Sequence, residues 1–279
     1  MRSMALAQAS QLLALLPSGS PAPAATEGNG APEISQLALE RWSHEVGLAG
    51  GLVRDIVEDR TGFLWLATSG GLSRFDGRSF RNFTAATEPN LPGSQVHAIA
   101  LGPDGLVRIG LEHGGVRIVD ERGVRLSPRV EALPPVVVRS LLADAAGTLW
   151  IGTDRGLWRS GSGGLAAVRL SHDAQPADVR KLVAARDGST WVRTYAQGLR
   201  RVEAGTVSRV PDAPGCRGLA LAFGPDGGAV TSCVDGIWER GAGESTWRRL
   251  VDAGEEEHVV RDRRLDQRVE RHSPAGVMA

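Results

Sequence analysis

Short apolar runs separated by glycine-rich turns fill the stretch from Gly51 to Phe83. The pattern predicts four strands, at 53–58, 63–68, 72–75 and 80–83. Their valine, isoleucine, leucine, phenylalanine and tryptophan residues suit a half-buried pleated surface, and glycine suits the turns because it reaches positive φ without steric cost. A single four-stranded meander cannot bury both of its faces, so we expect the unit to recur.

The unit occurs five times in all, with a period of roughly forty residues. Turn glycines mark the copies, at Gly62, Gly105, Gly147, Gly188 and Gly227. Four short strands in each unit of this length are typical of β-propeller blades. Helical repeats would need long segments of 3.6-residue periodicity, which the sequence lacks. The sequence therefore predicts an all-β propeller with about five recognisable, four-stranded antiparallel blades.

The extent of the repeat divides the chain into three regions. Residues 1–33 form a leader and linker, residues 34–250 the propeller blades, and residues 251–279 a charged tail. Proline-containing links separate the blades, where proline removes no ladder hydrogen bond. The predicted blades span 52–92, 95–133, 136–174, 178–212 and 216–250.

The charge balance excludes some classes of partner. The chain of 279 residues has 32 lysine and arginine residues and 32 aspartate and glutamate residues. No overall field therefore attracts nucleic acid or an anionic membrane. No apolar run approaches the ~20 residues that a membrane span needs. We expect no nucleic-acid partner and no membrane span in this chain.

The leader admits two interpretations. Arg2 precedes a mildly apolar segment from Met4 to Leu16, and Ala22-Pro23-Ala24 could serve as a small-residue cleavage site. These features are those of an export signal. Polar residues interrupt the apolar segment, however, so a disordered leader or a misplaced start is the alternative.

The two cysteines, Cys216 and Cys233, both lie in the fifth repeat. An even number of cysteines in an exported protein is compatible with a disulfide. Counting back from the Pro225-Asp226-Gly227 turn puts Cys233 opposite Leu219 or Ala220, which exceeds disulfide reach unless a bulge shifts the register. The count therefore favours two free thiols, and no zinc-ligand spacing accompanies them.

Three segments carry a resemblance to a known family. They read LERWSHEVGL at 39–48, VRDIVEDRTGFLWLATSGGLSRFDG at 53–77 and LLADAAGTLWIGTDRGLWR at 141–159. These segments resemble the two-component regulator propeller repeat, which forms the sensor regions of bacterial membrane-bound hybrid histidine kinases and related diguanylate cyclases. The resemblance covers roughly 37–250 and is most specific in blades one and three.

The resemblance implies a seven-bladed propeller that is exported to the periplasm and senses a ligand for a two-component phosphorelay. This sequence departs from that plan, because it has five recognisable repeats and no membrane span, phosphoacceptor-histidine helix or GGDEF output motif after them. We therefore expect a sensor propeller without its output domain, either a truncated product or a part of a receptor. No enzymatic activity and no cofactor are expected.

Tryptophan recurs at one position of the repeat. Trp65, Trp150 and Trp191 each follow the turn glycine by three residues. Counting through the second hairpin gives their cross-strand neighbours, Arg74, Arg159 and Arg201. An arginine over an indole contributes roughly 0.5–1 kcal/mol at an exposed site, and such pairs fix the register. Because a ligand contact need not repeat around a ring, we interpret the tryptophans and the turn glycines as structural.

Basic residues recur at a second position, eight residues before the turn glycine. Its members are Arg54, His97, Arg139 and Arg180, and in blade five Arg217 stands two residues before the equivalent Leu219. Each lies at the start of an innermost strand, and these starts converge on one mouth of the central channel. Planar guanidinium groups bind carboxylate, sulfate or phosphate bidentately. The pattern predicts that the mouth binds an anionic small molecule, for example an acidic sugar fragment.

Several alternatives stay open. The mouth arginines could instead bond carboxylates of neighbouring blades, with Asp55, Asp144 and Asp178 available. The protein could be an interaction scaffold whose blade faces bind another chain, or a periplasmic propeller lyase. Five blades without closure leave exposed edges, so the chain would dimerise, bind a receptor partner, aggregate or close as a tight five-bladed ring. A strand predicted at 37–42 would complete the last blade.

Overall fold

The computed structural model describes residues 42–252, except 94, 114, 121, 171–175 and 216. These residues form five antiparallel sheets of four strands, and each sheet is ordered as its strands follow along the chain. The described segments also contain two short 3-10 helices, His44–Val46 and Pro128–Val130. The prediction of an all-β propeller with four-stranded blades is confirmed.

Every strand falls inside its predicted blade range except β20, which extends two residues beyond residue 250. Blade one contains β1 (Val53–Glu58), β2 (Leu64–Thr68), β3 (Gly71–Phe75) and β4 (Phe80–Phe83). Blade two contains β5 (Val96–Leu101), β6 (Val107–Leu111), β7 (Val116–Asp120) and β8 (Gly123–Leu126). Blade three contains β9 (Val138–Ala143), β10 (Leu149–Thr153), β11 (Gly156–Gly161) and β12 (Gly164–Val168). Blade four contains β13 (Val179–Ala184), β14 (Thr190–Thr194), β15 (Leu199–Glu203) and β16 (Thr206–Arg209). Blade five contains β17 (Gly218–Phe223), β18 (Ala229–Cys233), β19 (Gly236–Arg240) and β20 (Arg248–Asp252).

The first turn of every blade closes on a glycine, as predicted. The five turn glycines, Gly62, Gly105, Gly147, Gly188 and Gly227, have φ between 78° and 89°. Each donates its N–H to the carbonyl three residues earlier. Residues with a β-carbon rarely adopt this φ, so these glycines fix the register of the first hairpin in each blade.

The core lies between blades rather than within them. The first strand of each blade packs on that of the next, β1 on β5, β5 on β9, β9 on β13 and β13 on β17. Trp65 of blade one, for example, shares an apolar cluster with Ile99 and Ile109 of blade two. Trp191 of blade four shares one with Leu221 of blade five. Each sheet therefore depends on its neighbours to bury its apolar faces.

The two outer faces of this array are less covered. Ile56 on β1 is half-buried, whereas its counterparts Ile99, Leu141 and Leu182 are at most 2% exposed. At the other end, Val230 of blade five is 39% exposed. In the part of the chain that the structure describes, β17 does not pack on β1 as the other first strands pack on one another. The tight five-bladed ring considered above is therefore not formed by these residues.

The tryptophans pair across their strands as predicted. The register places Trp65 opposite Arg74, Trp150 opposite Arg159 and Trp191 opposite Arg201. Arg74 also lies over the Trp65 ring, 5.7 Å from its centroid. Arg201 instead pairs with carboxylates of its own blade, and Arg240 of blade five lies over Trp191 at 4.7 Å. The cation–π partner of Trp191 thus comes from the next blade, which turn counting cannot show.

The prediction of free thiols is wrong for Cys233, which is disulfide-bonded. Cys216, the only other cysteine of the sequence, lies outside the described residues. The reason is a register shift between Gly218 and Leu221 that pairs Cys233 with Gly218. One extra residue in a strand moves every pairing beyond it, so Cys233 pairs with a residue one or two places nearer to Cys216 in the sequence than counting from the turn indicated.

The segment before β1 packs on blade one. The Trp42 and Phe75 rings meet edge-on at 4.8 Å, and Asn82 Nδ2 donates to the Gly47 carbonyl at 2.8 Å. The predicted leader at 1–33, most of the strand predicted at 37–42 and the tail after residue 252 lie outside the described residues.

Candidate functional site

The basic residues of the predicted mouth occupy one structural position. Arg54, His97, Arg139 and Arg180 are the second residues of β1, β5, β9 and β13. Each is the extra residue of a β-bulge, because the residues on either side of it pair with consecutive residues of the second strand. A bulge takes the extra side chain out of the regular alternation. Four repeats of the same bulge therefore present four basic side chains at the same end of the inner strands.

Contacts between blades join these side chains into a line. Arg54 Nη2 donates to Gln95 Oε1 of blade two at 3.1 Å. Arg139 and Arg180, of blades three and four, share Asp178: Arg139 Nε lies 2.9 Å from Oδ1, and Arg180 Nη2 lies 2.6 Å from Oδ2. The alternative in which arginines bond a neighbouring carboxylate is thus realised for Arg139 and Arg180.

The other two carboxylates considered as arginine partners bind elsewhere. Asp55 accepts hydrogen bonds from the Ile99 backbone N–H at 3.0 Å and from Lys181 Nζ at 3.2 Å. Asp144 accepts from the Trp150 indole N–H at 3.1 Å. Neither carboxylate neutralises a mouth arginine, so Asp178 supplies the counter-charge described there.

Tyr195 extends the line to blade five. The guanidinium of Arg180 lies 4.6 Å from the centroid of its ring, and that of Arg217 lies 5.7 Å away. The Tyr195 N–H donates to the Asp178 carbonyl at 2.8 Å, which fixes the ring beside the arginines. Sequence reasoning missed this residue, although it is the only tyrosine of the chain and directly follows β14, at the end of the strand that faces the mouth.

Several polar atoms at the mouth are buried without a hydrogen-bond partner in the described structure. They are Arg54 Nε, His97 Nε2, Arg139 Nε, Asp178 Oδ1 and Arg180 Nε. The Arg139–Asp178 contact is therefore an ion pair whose N–H does not point at the oxygen. A buried polar group without a partner costs roughly 1–3 kcal/mol. The mouth thus has hydrogen-bonding capacity that a bound ligand could use.

The electrostatics of the mouth keep His97 neutral. Burial and the nearby cations Arg54, Arg139 and His113 lower the pKa of His97 to about 4, against the opposing effect of Glu112. An imidazole with this pKa is uncharged at neutral pH, so it offers one donor and one acceptor. The positive charge of the mouth is therefore carried by its arginines.

We expect the free energy of unfolding to fall as the pH drops from about 6.5 to about 4. The pKa of His97 is about 4 in the folded chain and near 6.5 otherwise, so the unfolded chain binds the proton first and acidification favours unfolding. In the His97→Gln protein, the number of protons taken up on unfolding in this range should be smaller by up to about one. The free energy of unfolding should therefore change less steeply with pH. Urea unfolding of both proteins between pH 4 and pH 7 measures this difference.

A matched control for this prediction is His44→Gln, because the His44 side chain is exposed and lies in the 3-10 helix before blade one, away from the mouth. That variant should keep the pH dependence of the parent protein. Equal slopes for the parent and His97→Gln proteins would contradict the assignment of a shifted pKa to His97.

Other kinds of chemistry find little support in the described residues. Among them, no three histidine, cysteine, aspartate or glutamate side chains cluster in a way that could hold a metal ion. The same part of the chain has no helix with the length and apolarity that crossing a membrane requires.

Two segments of the chain match the family model described as two component regulator propeller. They span residues 47–70 and 132–155, which contain the first hairpins of blades one and three. A search of curated proteins finds no significant match. The matched segments overlap those that carried the resemblance in the sequence, which confirms it.

Solved structures share the fold at low sequence identity. The extracellular domain of a protein assigned as a one-component system from B. thetaiotaomicron has a TM-score of 0.62 at 17% identity, over 78% of this chain. The extracellular domain of a protein assigned as a hybrid two-component system from the same organism has a TM-score of 0.60 at 19% identity, over 75% of this chain. The match covers 31% of each of those chains. A catalytically inactive virginiamycin B lyase from Staphylococcus aureus, solved with quinupristin, has a TM-score of 0.60 at 15% identity, and the match covers 75% of this chain and 72% of the lyase. The fold is thus shared with these structures, and residues 47–70 and 132–155 are similar to the two-component regulator propeller repeat.

Proposed function

We propose that this chain is the ligand-sensing propeller of a signal-transduction receptor and that its mouth binds an anionic small molecule, for example an acidic sugar fragment. The observation that carries the proposal is the set of buried N–H groups without partners on Arg54, Arg139 and Arg180. Carboxylate, sulfate or phosphate oxygens would accept hydrogen bonds from such groups. Hydrogen bonds of this charge-assisted kind are roughly twice as strong as neutral ones.

The charge of the mouth also favours an anion. Asp178 is shared by Arg139 and Arg180, so one carboxylate faces two guanidinium groups. Arg54 forms a hydrogen bond to the neutral Gln95 and has no ion pair within the described residues. Excess positive charge in a concave site raises the local concentration of anions.

The proposal of a sensor role outside the cytoplasm is supported by the proteins that share these repeats and this fold. The matched repeats belong to the two-component regulator propeller family, and the B. thetaiotaomicron structures are extracellular domains. By that analogy we propose a periplasmic location and a non-enzymatic role for this chain. The likeness to the lyase, at 15% identity, concerns the fold and transfers no activity.

The mouth can be tested with a double variant, Arg54→Gln with Arg180→Gln. We expect the Kd for a chondroitin sulfate disaccharide to rise at least tenfold by isothermal titration calorimetry, because hydrogen bonds to charged groups contribute about 1.5–3 kcal/mol each. The control, Arg78→Gln with Arg122→Gln, removes the same charge at two exposed turn positions and should leave the Kd unchanged.

The same titration separates sensing from scaffolding. A small anion that binds the folded state should stabilise it by about 2.7 kcal/mol at a concentration of 100 Kd, which a thermal shift assay would detect. An unchanged titration in the mouth variant would refute anion binding there. In that case an interaction scaffold, with its blade faces as the binding surface, becomes the better interpretation.

A further inference from the structure

A groove of about 700 Å³ runs between the outer halves of blades three and four. We call it the blade three–four groove. Its lining includes Trp150, Arg159, Val168, Arg169, Arg200 and Arg209. These residues lie on the second to fourth strands of their blades or directly after them, whereas the mouth lies at the starts of the first strands. The groove is therefore separate from the site proposed above.

The groove exists because blade three lacks a large side chain over its tryptophan. In blade one, Phe83 pairs with Leu72 across β3 and β4 and stacks on Trp65 at 5.7 Å. In blade three the same cross-strand position is Val168. Within the described residues Trp150 has no ring contact. The smaller valine leaves space beside an edge of the indole.

The charge of the groove is positive. Four arginines contribute to its lining, and no aspartate or glutamate of the described residues does so. An anion in the groove would therefore meet the guanidinium groups of Arg159 and Arg209, which form no ion pair within the described residues.

Arg159 and Arg209 are the freest of these arginines. Arg159 is the counterpart of Arg74 and Arg201, since each lies opposite a tryptophan. Arg74 stacks on aromatic rings and Arg201 forms ion pairs. Among the described residues, Arg159 does neither, and Arg209 also lacks an ion pair. Both are exposed, so their guanidinium groups are available to a ligand.

Arg200 is held in place beside them. Its Nε donates to the Leu170 carbonyl at 3.2 Å, and its Nη1 donates to the carbonyls of Gln197 at 2.6 Å and Leu199 at 3.1 Å. These three backbone carbonyls orient the guanidinium group of Arg200. A fixed donor of this kind lowers the entropic cost of binding.

We propose that the blade three–four groove binds a small anion that carries a ring. The ring would pack beside Val168 and against the edge of Trp150 that lines the groove, a side chain that is otherwise buried, and its carboxylate or sulfate groups would bond Arg159 and Arg209. The volume lies within the range of small-molecule sites, roughly 300–1,000 Å³. Guanidinium forks match carboxylate and sulfate geometry. Acidic sugars and aromatic acids both have this chemistry.

Isothermal titration calorimetry on the whole chain tests the proposal with four probes. The ringed anions are a chondroitin sulfate disaccharide and benzene-1,3-dicarboxylate, the ringless anion is citrate, and the neutral sugar is lactose. We expect at least one ringed anion to bind more tightly than citrate and lactose. The identity of that probe distinguishes a sugar acid from an aromatic acid.

The double variant Arg159→Ala with Arg209→Ala should weaken that binding at least tenfold. Both residues are exposed, so its thermal unfolding should match that of the parent protein. These titrations are repeated in the mouth variant Arg54→Gln with Arg180→Gln, where the mouth no longer contributes and the groove affinity should be retained. The charge-matched control, Arg78→Ala with Arg122→Ala, should also retain it. Groove binding and mouth binding can therefore fail independently.

Three results would overturn the proposal. The first is that neither ringed anion binds, and the second is that citrate binds as tightly as the ringed anions. The third is that the affinity survives the loss of Arg159 and Arg209, which would assign the binding to another surface.

Discussion

Asp55→Ala should lower the free energy of unfolding by about 3–5 kcal/mol, because it leaves a buried ammonium group without its counter-charge. Asp55 Oδ1 lies 3.2 Å from Lys181 Nζ, and the two side chains are 9% and 10% exposed. Asp55 Oδ2 also accepts the backbone N–H of Ile99, which would lose its partner. One carboxylate thus joins blade one to blade two and, across the hub, to blade four.

A double variant separates the ion pair from the hydrogen bond to the backbone. In blade three the counterpart of Asp55 is Ser140, whose Oγ accepts the Leu182 N–H at 3.0 Å. Asp55→Ser with Lys181→Met should keep this type of bond while leaving no unpaired charge. We therefore expect the double variant to be more stable than Asp55→Ala, as replaced buried ion pairs often are.

Urea unfolding followed by circular dichroism measures these differences. Arg125→Ala serves as the surface control, because its ion pair with Asp120 is partly solvated and should contribute less than about 1 kcal/mol. A loss for Asp55→Ala no larger than that of the control would show that the contact across the hub does not stabilise the fold.

Gly218→Val should destabilise the fold by about 1–3 kcal/mol, the range for overpacked cores. A β-carbon built on Gly218 overlaps the guanidinium of Arg193, which is fully buried. Arg193 donates to Cys233 Sγ at 3.3 Å and to the Pro214 carbonyl at 3.5 Å. Burial lowers the pKa of Arg193 to about 10, partly offset by Asp235, so the guanidinium stays charged at neutral pH and cannot move aside without losing its partners.

Two other blade junctions show how the overlap between residue 218 and Arg193 in this variant can be relieved. At the position of Arg193, blades two and three have Gly110 and Gly152, and the first residues of the following blades are Val138 and Val179. In those junctions the valine fills the space above the glycine. At the junction of blades four and five the sizes are exchanged, with the arginine on one side and Gly218 on the other.

Adding Arg193→Gly to Gly218→Val should therefore recover most of the lost stability. The double variant recreates the glycine–valine contact of the other two junctions. Chemical denaturation of the parent, single and double variants forms a double-mutant cycle. Gly163→Ala is the control, because a β-carbon there meets open space. A double variant less stable than Gly218→Val alone would contradict the exchange of sizes.

Much of each blade could be predicted from the sequence because its determinants are local. The register of a hairpin is fixed by its turn, which contains a glycine, and by the alternation of apolar positions in the two strands. The partners of Trp65, Trp150 and Trp191 followed from counting through one turn, and the strand bounds of β1 and β4 matched the prediction. The positions of the mouth arginines followed from the same repeat.

Other features depend on a single extra residue or on a neighbouring blade. The bulge in blade five brought Cys233 opposite Gly218, and turn counting cannot detect it. The sharing of Asp178 by Arg139 and Arg180 requires two blades at a fixed distance. Comparison of repeat positions would have flagged Asp55, Lys181 and Arg193, because each is charged where the other blades carry small side chains.

The sequence by itself thus determined the repeat, the all-β class, the blade strands and the resemblance to the two-component regulator propeller repeat, since these depend on short-range periodicity and turn chemistry. Only the tertiary structure decided which charges pair across the hub, which arginines of the mouth keep unused N–H groups and where a groove opens beside Trp150. Those outcomes arise from packing between blades, where residues far apart in the chain come within a few ångströms and small differences in side-chain volume decide what is filled.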